Sequence, residues 1–87
     1  MEFEFDPSKS AINKAKHGID FDEAQALWED SRLLDIPARL DGEPRMFTIG
    51  MIAGKHWVAV WTQRGAGMRI ISVRRARKEE VSLYEDR

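Results

Sequence analysis

The 87 residues are 43% hydrophobic and 33% charged, with a formal net charge of -1 and no cysteine. A chain of this length supports one hydrophobic core and not a second. A disulfide framework and a thiolate zinc site are excluded, and His17 and His56 are too few to hold a metal without carboxylates. No apolar run nears the roughly 20 residues that span a bilayer, and Met1-Glu2-Phe3-Glu4 lacks a basic segment followed by an apolar one. The expectation is a cytoplasmic protein, one domain over residues 1–87, with no membrane contact, no cofactor and no structural metal.

Glu2-Phe3-Glu4-Phe5 alternates like a short strand with one buried face. Asp6-Pro7 then opens a helix, because the Asp6 carboxylate can accept first-turn amides and proline lacks only an N–H that would be unpaired there. That helix is predicted to run to about His17 and to stop at Gly18 in the left-handed conformation. A second helix follows at once. Ile19, Asp20 and Glu23 form a capping-box arrangement, Phe21, Ala24, Leu27 and Trp28 share a face, and the end falls near Asp30.

Leu33-Leu34-Asp35-Ile36 is broken by Pro37 and carries no clear element. Three apolar runs follow at 46–52, 57–62 and 68–73, separated by turn residues at 53–55 and 64–67. They predict an antiparallel meander of about three strands. A last helix from about Arg77 to Glu85 puts Val81 and Tyr84 on the face that can meet the sheet. The order, an N-terminal strand, two helices, the meander and a C-terminal helix, predicts an α+β domain.

The charge is unevenly spread. Residues 64–78, RGAGMRIISVRRARK, hold six Lys or Arg and no acid, while residues 1–63 hold seven against eleven and residues 79–87 one against four. Such a segment can bind phosphates and steer a nucleic acid despite the near-neutral total. It also fits a solvated cluster partly neutralised by Glu79 and Glu80. On a regular strand Arg69, Ile71, Val73 and Arg75 share one side, and Met68, Ile70, Ser72 and Arg74 the other. Both sides have an apolar middle, so the pattern does not choose the core face; helices on one side of the sheet, with Arg74-Arg75 emerging at an open groove, are expected.

FEFDPSKSAINKAKHGIDFDEA and, later, TQRGAGMRIISVRRARKEEVSLYE resemble the BrnT family of toxins from bacterial type II toxin-antitoxin pairs. The likeness rests on Lys16-His17-Gly18 ending the first helix, Arg64-Gly65 in the last hairpin, and Arg69-Ile70-Ile71-Ser72 leading to Arg74-Arg75-Ala76. Residues 29–45 match more loosely. Arg77 stands where the family more often has a Thr-like helix cap, and Val73 where Ala is common. The resemblance implies a RelE-like fold and RNA cleavage. It also implies a cognate antitoxin, a BrnA-like ribbon-helix-helix DNA-binding protein through which alone operator DNA would be reached.

Metal-free RNA cleavage uses the ribose 2′-hydroxyl as nucleophile and needs a proton acceptor, a proton donor and a cation for the phosphorane. Arginine is a permanent cation and a poor base, so Arg64, Arg74 and Arg75 are the candidate clamp. His17 is the candidate for acid–base work, with a helix-end structural role as its alternative. Lys9, Lys16, Arg69, Arg77 and Lys78 are candidate RNA contacts. Glu79, Glu80 and Tyr84 could move protons, but first-turn complementation for the two carboxylates and core packing for the tyrosine are the preferred readings. Trp57 and Trp61 fit the core or base stacking, and His56 is expected to be an exposed loop residue. A ribonuclease toxin and a non-catalytic module docking an acidic partner or DNA both remain open.

Overall fold

The computed structural model describes residues 2–87. In chain order it comprises β1 (Phe3–Glu4), α1 (Pro7–His17), a 3-10 helix (Glu23–Glu29), β2 (Leu34–Leu40), β3 (Glu43–Ile52), β4 (Lys55–Arg64), β5 (Gly67–Arg75) and α2 (Lys78–Glu85). The strands form one sheet in the order β1-β5-β4-β3-β2. β1 runs parallel to β5, and the remaining pairs are antiparallel. The α+β class holds, but the meander has four strands rather than three, and β1 makes the sheet mixed.

The added strand is β2. Its Pro37 sits opposite Met46 on an edge strand, where the missing N–H can face away from the ladder. Asp41 and Gly42 close the β2–β3 hairpin with φ of 53° and 78°, the left-handed pair that a type I′ turn requires. The second helix is a 3-10 helix, yet its entry forms as the pattern predicts. Asp20 Oδ1 accepts from Glu23 N at 2.7 Å while Glu23 Oε1 accepts from Asp20 N at 3.0 Å. At α1, Asp6 accepts from Ser8 N at 2.8 Å and Gly18 ends the helix at φ 81°.

β5 contains a bulge. Ala59 pairs with Val73 and Val60 with Ser72, but Trp61 pairs with Ile70, so Ile71 has no partner on β4. The extra residue reverses the alternation, and Met68, Ile70 and Val73 are all buried. One sheet face packs Trp57, Ala59, Ile70 and Val73 beneath Ile19, Phe21, Ala24 and Leu27. The other places Ile49 and Val58 against Tyr84 of α2, with Leu34, Ile36 and Phe47 alongside. Helices therefore lie on both faces, not one, and the short α2 covers only part of its side.

Beyond β1, the outer edge of β5 is completed by a side chain. The Asn13 amide donates to Val73 O at 2.9 Å and to Ile19 O at 2.8 Å, and its oxygen accepts from Val73 N at 3.2 Å. Asn13 is 6% exposed. Asn13→Ala would strand these backbone groups in a dry site and should cost about 2–4 kcal/mol in urea unfolding. A loss below about 1 kcal/mol would show that water replaces the amide.

Candidate nucleic-acid interface

The open part of the α2 side carries a groove of about 460 Å³ whose lining includes Lys9, Glu43, Arg45, Thr62, Arg64, Arg69 and Ile71. Ladder register assembles it. Thr62 pairs with Arg69, and Arg64 with Gly67 beside the hairpin turn. The parallel β1 sets Glu4 next to Arg69. Glu4 Oε1 accepts from Arg69 Nη1 at 3.1 Å and lies 4.0 Å from Arg64 Nη1, so one carboxylate stands beside both guanidinium groups at this end of the sheet. Arg45, at the start of β3, donates to Glu43 Oε2 at 2.7 Å. Lys9, on the exposed side of α1, makes no ion pair among the described residues.

The remaining basic residues of 64–78 sit elsewhere. Arg64 and Arg75 are seven positions apart on the β4–β5 ladder, about 23 Å at strand rise. One phosphate cannot touch both, so the expected clamp of Arg64, Arg74 and Arg75 is not assembled. Arg74 makes a bidentate pair with Glu80 at 2.8 Å on each arm, with side-chain exposures of 19% and 16%. That hydrogen bonding holds the Arg74 guanidinium above its ordinary pKa and the Glu80 carboxyl below its own, against the opposing effect of burial. Glu80 also accepts from Arg77 N at 2.7 Å, which supplies the start signal that Arg77 itself lacks. Glu80 is thus committed to the entry of α2.

Arg75 extends from the opposite face, its guanidinium carbon 5.5 Å from the centroid of the buried Trp57 ring. Arg77, Lys78 and Glu79 are exposed at the start of α2, Lys16 is exposed on α1, and His17 is half-buried in the last turn of α1. His17 and Lys9 are separated by about 12 Å of helix rise. Tyr84 is 4% exposed and donates to Asp30 Oδ2 at 2.6 Å; this bond and burial raise its pKa. At Asp30, burial pushes the carboxyl up, but the bonds from Tyr84 and from the Arg32 and Met51 amides prevail and hold it below the usual carboxylate range. His56 is not a loop residue. It lies in β4, half-buried, with Nε2 2.6 Å from Glu85 Oε2 and its ring against Tyr84. Trp57 belongs to the core, and Trp61 is half-buried with its Nε1 donating to Thr48 Oγ1 at 2.7 Å.

Sequence reasoning missed Arg45 and the paired roles of Glu4 and Glu43. The local pattern holds no signal for Arg45, since only the register of β3 on β4 brings it to Thr62. The Asp41-Gly42 turn was a clue only to where β3 begins, at Glu43, which puts Arg45 inside the strand.

The described residues thus form a small α+β domain with four cations, Lys9, Arg45, Arg64 and Arg69, around an open sheet groove. The family model described as "Ribonuclease toxin, BrnT, of type II toxin-antitoxin system" matches residues 5–80, most of the chain. The protein is therefore a toxin of the type II toxin-antitoxin class, a class that implies an antitoxin partner. It belongs to the BrnT family of ribonuclease toxins. No curated protein matches the chain. No helix among the described residues is long and apolar enough to cross a membrane.

Proposed function

We propose that this toxin is an endoribonuclease, similar in fold to RelE-type enzymes, that cuts RNA without a metal in the cytoplasm and is silenced when an antitoxin of ribbon-helix-helix type covers its groove. The observation that carries the reading is the gathering of Lys9, Arg45, Arg64 and Arg69 around one groove that also contains the carboxylate of Glu43. The scissile phosphate sits among the arginines, whose fixed charge meets the extra negative charge of the phosphorane. Glu43 accepts the proton of the 2′-hydroxyl, whose oxygen bonds to phosphorus, and Lys9 protonates the departing 5′-oxygen. The products are a 2′,3′-cyclic phosphate and a 5′-hydroxyl. Arg75, Arg77, Lys78, Lys16 and His17 hold flanking backbone, which makes His17 a binding group here, and Arg74 acts by fixing α2.

Induced expression of the toxin alone should arrest bacterial growth, with primer extension mapping new 5′ ends in cellular RNA, and co-expression of the antitoxin should restore growth. Normal growth at confirmed soluble expression would overturn the reading. The second reading, a non-catalytic module that docks an acidic partner, has its own support: Glu4 already rests on Arg64 and Arg69, so the patch accepts carboxylates. Binding without new RNA ends would favour it.

A further inference from the structure

The sheet face under the 3-10 helix has a second cleft, of about 550 Å³, lined by Phe3, Trp28 and Trp61 with Gln25, Glu29 and Asp35 among its polar residues. Phe3 meets Trp28 edge-on at 5.1 Å between centroids, and Trp28 meets Trp61 likewise at 6.4 Å. We propose that this aromatic and acidic cleft receives a lysine or arginine side chain of the antitoxin, as an anchor separate from the RNA groove.

Charge and geometry both select a cation. The lining carries two carboxylates and no basic residue. Glu29 makes no ion pair among the described residues. Asp35 is held in place from below. Trp61 Nε1 donates to Thr48 Oγ1 at 2.7 Å, which directs the Thr48 proton onto Asp35 Oδ1 at 2.5 Å, and Thr48 is fully buried. The second oxygen of Asp35 makes no hydrogen bond among the described residues. An indole face within about 6 Å attracts an ammonium or guanidinium group, and a nearby carboxylate adds to that attraction. An apolar or anionic partner would instead leave Glu29 and Asp35 desolvated without a counter-charge. Trp61 lies on the side of Ala59 and Ile70, opposite Thr62 and Arg69, so an anchor here uses none of the residues that line the groove.

The proposal rests on the antitoxin that the family implies, and not on the site of RNA cleavage. Its test begins with N-acetyl-arginine amide and N-acetyl-lysine amide titrated into nitrogen-15-labelled toxin, with N-acetyl-norleucine amide as the neutral control. The two cations should shift the indole N–H signals of Trp28 and Trp61 saturably. The control should not, and the variant carrying Glu29→Gln and Asp35→Asn should lose at least four-fifths of the shift. Both replacements are isosteric, and an asparagine still accepts from Thr48. Purified antitoxin should bind that variant ten- to a hundredfold more weakly while RNA cleavage is unchanged. Equal shifts from the control, or unchanged antitoxin affinity, would overturn the proposal. An inactive wild-type toxin would refute the ribonuclease reading alone and leave both of these readouts standing.

Discussion

Arg69→Ala and Arg64→Ala should each lower the single-turnover rate of RNA cleavage on the order of a hundredfold at saturating enzyme, with a much smaller loss of RNA affinity. The reason is positional. Both side chains line the same groove and are presented by one carboxylate, Glu4, so both can act on charge that develops at a single phosphate. Arg75→Ala, at the far end of the ladder, and Lys78→Ala, at the start of α2, should chiefly weaken binding and make its salt dependence shallower by about one phosphate contact each. Should Arg64 and Arg69 variants cleave at the wild-type rate once saturated, the groove is a docking surface and not the seat of chemistry.

Arg74→Ala should be a folding defect. The Arg74–Glu80 pair is mostly withdrawn from solvent and Glu80 also caps α2, so removing one partner leaves the other poorly satisfied. After allowance for residual exposure, a loss of about 2 kcal/mol is expected, on the order of 10 °C in melting temperature for so small a domain. The pair also predicts a pH dependence. The folded Glu80 carboxyl titrates below its ordinary value, so its stabilisation is complete above the ordinary glutamate range of the unfolded chain and is lost as pH falls through the lower folded value. The stability gap between wild type and Glu80→Gln should therefore be constant near neutrality and should close in acid. A melting temperature unchanged in Arg74→Ala would return that arginine to the list of groups free to bind RNA.

Elements whose information is local were legible. Asp6-Pro7 and Gly18 bound α1 because caps act within a turn, and the apolar runs located most of β3, β4 and β5. β2 was not legible, because Pro37 interrupts its alternation and reads as a break unless the strand is known to be at an edge. The core face of β5 was hidden by the bulge at Ile71, which puts two isoleucines in succession on different duties. Charge clustering in sequence did mark a basic surface, but it misgrouped the residues. The β4–β5 hairpin puts Arg64 at one end and Arg74 and Arg75 at the other, beyond one phosphate's reach, while Lys9 and Arg45 join the groove through contacts distant in sequence.

The bulge has a consequence for how this chain can change length. In a regular strand, deleting one residue turns every side chain beyond it to the opposite face. Deleting Ile71 would have the reverse outcome, since it has no partner on β4 and its loss restores strict alternation, with Met68, Ile70 and Val73 still inward and Arg69 and Arg74 still outward. β5 therefore holds one place where a residue can be lost without exchanging core for surface, and that place lies in the wall of the cationic groove.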